Sequence, residues 1–193
     1  MKILWIDTET TGLNPFEHDI VSLALIVEIN NEVKDELYLK IQPINWNTIN
    51  DEALKVNGFT KEELKTFDKP QEALKKVLRF LEKYVDKYKK NKSMEDKFVL
   101  AGYNVTFDSA MLAEWCKKLN YKYLGALIDY HKLDIASLIL FLKMHNKIQI
   151  EGFKLVKVAE YLQASIQSHD AQSDIRATRE IAYKLLDKID IKG

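Results

Sequence analysis

Residues 19–41 read DIVSLALIVEINNEVKDELYLKI, two stretches rich in apolar and β-branched residues that meet at Asn30-Asn31. Adjacent asparagines tolerate the positive φ angles of a two-residue type I′ turn, so the stretch predicts an antiparallel hairpin. A sheet is therefore the scaffold on which the rest of the chain must pack. Residues 2–7 predict another buried strand, KFVLAGY a fourth and residues 128–133 a fifth, while Pro43 closes the hairpin run.

Helical signals fill the intervals. Residues 50–57 and 60–66 predict short helices, the second opened by Thr60 with Glu63 completing a capping box. Pro70 suits the first turn of a longer helix. In it Leu74, Val77, Leu78, Leu81, Val85 and Tyr88 recur at three- and four-residue intervals and mark one buried face. Further helices are expected after a Thr106 cap, from about Asp134 to His145, around 154–162, and from about Asp170 to Ile189. The pattern predicts an α/β fold, with a mixed sheet of five strands flanked by helices.

A chain of 193 residues with 47% apolar composition has material for one sizeable core, so residues 1–193 are expected to form a single domain. Lys plus Arg equals Asp plus Glu at 29 each, so no global field marks a nucleic acid or membrane as partner. The single cysteine, Cys116, excludes an internal disulfide and fits a reducing compartment. No apolar run approaches the roughly 18 residues of a membrane span. A soluble, cytoplasmic protein with no membrane partner is the expectation.

Four acids stand out from this balance. Asp7 and Glu9, in WIDTET, are spaced two apart, which on a strand places both carboxylates on one face. No Lys or Arg occurs between Lys2 and Lys34, so a cation is the natural neutraliser of the pair. A solvated turn with two ordinary acids satisfies the same letters. Asp108 falls in the first turn of a helix, where the dipole favours an anion, and helix-start chemistry alone explains an acid there. Asp174 is aligned with Ala171, Thr178, Ile181 and Leu185 on the face of the last helix that should meet the sheet, and a buried carboxylate needs a partner. His169 stands five residues upstream. Together these residues describe an oxygen-ligand cage for Mg²⁺ or Mn²⁺ beside a base of near-neutral pKa. Two such ions about 4 Å apart would serve phosphoryl displacement, with the imidazole deprotonating water.

The segments DTETTGL, GYNVTFDSAML and HDAQSDIRATREI resemble, in the same order, the three motifs of the DEDDh 3'-5' exonucleases, and DEALKVNGF resembles the family segment that lies along the terminal nucleotide. Within the family the likeness is strongest to the proofreading subunit of bacterial DNA polymerase III. The resemblance implies a ribonuclease H-like fold, Asp7, Glu9, Asp108 and Asp174 as ligands of two divalent cations, and His169 as general base. It also implies that Thr10, Thr11 and Gly12 offer backbone N–H groups to substrate and that Leu13 wedges against the terminal base. Glu52, Val56 and Asn57 would contact the terminal nucleotide, with Tyr103, Asn104 and Phe107 near its sugar. Asn57 departs from the family histidine, losing the ring and its charge.

The expected activity is release of nucleoside 5'-monophosphates from the 3' end of single-stranded DNA. An RNA exonuclease of the same superfamily, or a non-catalytic nucleic-acid-binding or polymerase-associated module, are the alternatives. The chain ends at Gly193 without the tail by which the proofreading subunit holds its polymerase, so a free-standing enzyme, or another surface for a polymerase or repair partner, is expected. Residues 71–92 carry eight basic residues against three acids, a run whose ordinary meaning is a solvated helix face. His18, His131 and His145 are expected in structural or surface roles, and nothing in the spacing of Tyr38 and Trp46 marks them for base stacking.

Overall fold

A computed structural model describes residues 1–165 and 170–189. Five strands, β1 (Lys2–Thr10), β2 (Ile20–Ile29), β3 (Glu32–Lys40), β4 (Phe98–Gly102) and β5 (Ile128–Asp134), form one sheet in the order β3-β2-β1-β4-β5. β1 runs antiparallel to β2 and parallel to β4, and β5 is parallel to β4, so the sheet is mixed as expected. Asn30 and Asn31 turn the β2–β3 hairpin at φ of 54° and 67°, the left-handed conformation that asparagine tolerates. β2 is buried along nearly its whole length because helices cover both faces of the sheet.

Seven helices surround it among the described residues: α1 (Asp51–Asn57), α2 (Lys61–Leu64), α3 (Pro70–Glu82), α4 (Val105–Lys118), α5 (Ile135–Met144), α6 (Leu155–Leu162) and α7 (Ala171–Leu186). The period-two alternation of β1 divides the core. Leu4 and Ile6 pack with Val77 and Leu81 of α3 and Met111 and Trp115 of α4. Trp5, between them in sequence, faces Ile139 of α5, Val158 of α6 and Ile175 and Ile181 of α7. Thr8 therefore points toward α4, while Asp7 and Glu9 continue the Trp5 face toward α7.

One buried charge ties α7 to the sheet. Glu28 of β2, 1% exposed, accepts from Trp5 Nε1 at 3.1 Å and from Arg179 Nε at 2.5 Å, and the Tyr183 hydroxyl donates to its other oxygen. The Arg179 guanidinium lies over the Tyr183 ring, 4.8 Å from its centroid. These contacts hold α7, and with it Asp174, in register with β1.

Several element boundaries differ from expectation. β1 extends to Thr10, three residues past the expected end at Asp7, so Glu9 as well as Asp7 lies within the strand. α3 ends at Glu82; Val85 is buried from the turn that follows, whereas Tyr88 is 80% exposed because the helical phase is lost before it. α4 is capped by Asn104 in a left-handed conformation, not by Thr106, which sits exposed in the first turn. Asp134 enforces that geometry: its Oδ1 accepts from Asn104 N at 2.9 Å and from Ala136 N at 3.0 Å, joining the starts of α4 and α5. Gly102 is needed just before the cap, since a Cβ there would stand 2.8 Å from the Ile6 carbonyl oxygen of β1.

Candidate active site

The C-terminal half of β1 meets the first turns of α4 and α7 at one end of the sheet. Asp7 and Glu9 project from β1 to meet Asp174, in the first turn of α7, and a ligand oxygen from each lies within 4.8 Å of the others. Asp108, in the first turn of α4, approaches from the opposite side of β1 and accepts from the Thr8 hydroxyl at 2.7 Å. The strand thus presents alternate side chains to two helices, and both helices place an acid where N-terminal amides favour negative charge. Asp170 caps α7, accepting from Ser173 N at 3.0 Å, and adds to the local negative field. His169 lies outside the described residues.

The electrostatics are those of crowded anions. Burial, then the charges of Asp108, Glu9, Asp174 and Asp170, push Asp7 far above the usual carboxylate range. Burial, then the charges of Asp174, Asp108 and Asp170, push Glu9 up to about 7. Burial also raises Asp108 to about 6 against the opposing hydrogen bond from Thr8. Among the described residues no Lys or Arg is a cause of these shifts. The donor set is all oxygen, and coordination at about 2.0–2.2 Å spans separations of this size with a small closure. The residues present fit a hard divalent cation.

This crowding makes stability depend on pH in a definite direction. A carboxylate whose folded pKa exceeds its unfolded one binds more protons in the folded state between the two values, so stability falls as pH rises through that window. For Glu9 the window runs from 4.5 to about 7. EDTA-treated protein is expected to lose on the order of 2 kcal/mol, about 4–8 °C in Tm, between pH 5 and pH 8. Millimolar Mn²⁺ at pH 8 should restore it, because an ion bound only by the folded state stabilises by mass action. A flat or rising metal-free profile would contradict the clustering.

A cavity of about 350 Å³ opens beside the acids, lined by Thr8, Glu9, Thr10, Gly12, Leu13, Asn50, Glu52, Ala53, Val56, Asn57 and Phe107. Seven of the ten residues expected at the substrate line it. Leu13 and Val56, 82% and 57% exposed, form an apolar mouth. Asn57 is buried, and its Nδ2 donates to the Thr10 carbonyl at 2.8 Å, so it holds the end of β1. Gly12 sits against the His18 ring, where a Cβ would be 2.3 Å from the nearest ring atom.

Three expected residues are placed otherwise. Thr11 is fully buried; its N–H donates to the Asp19 carbonyl and its hydroxyl accepts from Asp19 N, both at 2.9 Å, so it fastens the loop instead of offering a donor to substrate. The Tyr103 hydroxyl donates to the Phe153 carbonyl, and Asn104 is the exposed cap of α4; neither lines the cavity. Conversely, Thr8, Asn50 and Ala53 were not singled out. Asn50 caps α1 through Glu52 N and Ala53 N, a helix-start signal that was legible but carried no hint of the cavity.

Residues 4–182 match the RNase T family model, described as Exonuclease. The chain belongs to this exonuclease family. It is 25% identical over 183 residues to a DNA polymerase III of PolC type from Thermotoga maritima, covering 94% of this chain but only 12% of that polymerase. It is 28% identical over 147 residues to an oligoribonuclease of Legionella pneumophila, covering 71% of this chain and 70% of that enzyme. The exonuclease chain also superposes on Exonuclease I of E. coli, solved in complex with a dT13 oligonucleotide, with a TM-score of 0.77 at 17% identity over 96% of this chain and 41% of that one. The ribonuclease H-like fold expected from the sequence is therefore present, and the motifs that carried the resemblance are those that converge here. Among the described residues no helix is long and apolar enough to cross a membrane.

Proposed function

We propose that this chain is a metal-dependent 3'-5' exonuclease that releases nucleoside 5'-monophosphates from single-stranded DNA. The observation that carries the reading is the convergence of Asp7, Glu9 and Asp174 within 4.8 Å, with Asp108 held to the same strand through Thr8, beside a cavity of about 350 Å³ that Glu9 lines. Asp7, Glu9, Asp108 and Asp174 would hold Mg²⁺ or Mn²⁺, which when bound would acidify a water and neutralise charge at the phosphate. Leu13 and Val56 would seat the terminal base by apolar contact, and Glu52 stands beside them to accept from a sugar hydroxyl. Thr8 keeps Asp108 oriented. His169 is proposed as the base that takes the proton of the attacking water, on the strength of the motif HDAQSD.

The resemblance to proofreading subunits and the PolC relative favour DNA, and allow a polymerase or repair partner. The oligoribonuclease relative favours short RNA instead. One fold hosts both chemistries, so polymer choice is a property of the cavity. Matched 20-mers of DNA and RNA, mixed and followed with Mn²⁺, give the ratio of kcat/KM directly. Faster loss of DNA is expected; equal or faster loss of RNA would replace the DNA reading with the RNA one.

A further inference from the structure

The loop between β1 and β2, residues 11–19, places Leu13 at the cavity beside the carboxylates and, three residues on, Phe16, whose side chain is 73% exposed. A single exposed apolar residue on a free loop would be ordinary. This loop is not free. Asn14-Pro15-Phe16-Glu17 form a β-turn in which Glu17 N donates to the Asn14 carbonyl at 3.1 Å, with Pro15 at the position whose φ its ring presets. His18 N donates to the same carbonyl at 2.8 Å, and the Asn14 side chain accepts from Phe16 N at 3.1 Å. Asn14 N donates to His18 Nδ1 at 3.1 Å, and that ring lies against Gly12. The loop is also pinned from outside. The Thr48 hydroxyl donates to the Glu17 carbonyl at 2.7 Å, and Asn50 N to the Thr11 carbonyl at 2.9 Å. Lys118 Nζ of α4 donates to the His18 carbonyl at 2.6 Å and to Asp19 Oδ1 at 2.8 Å; the Asp19 carboxylate is buried, and its other oxygen accepts from Asn45 N at 2.7 Å.

The backbone that presents Phe16 is thus fixed before any ligand arrives, which removes an ordering cost that binding would otherwise bear. Its position relative to Leu13 points to the ligand. Three residues of chain reach at most ~11 Å, so Phe16 stands within about three stacked nucleotides of Leu13 at ~3.4 Å each. Leu13 and Val56 already form the apolar mouth of the cavity, and an exposed ring at this distance from them meets the bases that precede the terminal one. Aromatic rings stack on bases of any identity, which suits an enzyme that must accept every sequence. We propose that Phe16 stacks on a base of the single strand within about three nucleotides 5' of the terminal one, extending recognition beyond the cavity. This rests on the exonuclease reading above. A substrate with a single nucleotide occupies the cavity without reaching Phe16.

The test uses the full chain and the variants Phe16→Ala, Phe16→Leu and Phe16→Trp, with circular dichroism and Tm as the fold control. Cleavage of dT20 and of the p-nitrophenyl ester of thymidine 5'-monophosphate in Mn²⁺ is measured beside anisotropy of 5'-labelled dT20 in EDTA. Stacking requires that Phe16→Ala lower the ratio of kcat/KM on dT20 to kcat/KM on the ester about ten-fold, through KM, with dT20 affinity falling in parallel. Phe16→Trp should keep both near the parent values, whereas Phe16→Leu, apolar but without a ring, should follow Phe16→Ala. Equal losses on both substrates, a Phe16→Leu protein that matches the parent, or parental dT20 affinity in Phe16→Ala would overturn the proposal. Parent protein that binds dT20 through Phe16 yet hydrolyses neither substrate would keep the stacking and sink the exonuclease reading.

Discussion

Replacing Asp7 by Asn is expected to lower exonuclease turnover by roughly a thousand-fold, equivalent to about 4 kcal/mol of lost transition-state stabilisation, and to raise the melting temperature of the metal-free protein. The two effects have opposite signs because they share one cause. Asp7 sits in the field of Asp108, Glu9, Asp174 and Asp170, so its charge is unfavourable until a cation offsets it. An amide of the same shape removes the repulsion, worth about 2–5 °C in Tm in EDTA. It also removes a ligand, so Mn²⁺ should stabilise the variant less than the parent. The slope of metal-free stability between pH 5 and pH 8 should flatten as well. Differential scanning fluorimetry across pH, with and without Mn²⁺, reads all three. A variant that is both inactive and less stable in EDTA would make Asp7 a structural residue.

The second large effect lies away from the chemistry. Arg179→Leu leaves the Glu28 carboxylate, 1% exposed, without its charged partner at 2.5 Å. The Trp5 and Tyr183 donors remain, but neither carries charge. Breaking a buried pair from one side typically costs 3–5 kcal/mol, so a Tm loss on the order of 10 °C is expected. The double variant Glu28→Leu/Arg179→Leu should recover most of it, because the cost is an uncompensated charge and not lost packing. Since α7 carries both Arg179 and Asp174, the single variant should also need more Mn²⁺ for half-maximal stabilisation. A loss under about 1 kcal/mol, or a double variant no better than the single, would contradict the role given to this pair.

The parts of this structure that a reader of the sequence can find are those where local chemistry and tertiary need agree. Asn30-Asn31 turns a hairpin wherever two strands meet, Thr60 and Glu63 close a capping box on their own helix, and Asp134 caps α5 from its own sequence position. The alternation of Asp7 and Glu9 fixed their common face, and the helical phase of Asp174 turned it toward the sheet. What was not legible depends on contacts distant in sequence. Thr106 has the better cap chemistry, but the bond from Asn104 N to Asp134, 30 residues away, sets where α4 begins. Thr11 resembles a donor to substrate until Asp19 takes both its groups. Tyr88 fits the periodicity of α3, yet the helix stops at Glu82 and the ring turns outward. Residues 71–92 likewise divide: the helical part turns Lys75 and Lys76 to solvent opposite its packed face, and the part beyond it contributes Lys87 and Tyr88 to an open cavity.

The most direct test of the carboxylate site is a time course on single-stranded DNA labelled at its 5' end, in Mn²⁺ and in EDTA, with the Asp7→Asn protein alongside. The account predicts a ladder that shortens one nucleotide at a time from the 3' end only when metal is present, with nucleoside 5'-monophosphate as the released product and the variant slowed by orders of magnitude. Cleavage that persists in EDTA, begins at internal bonds, or is untouched by Asp7→Asn would show that these four acids do not form the catalytic centre.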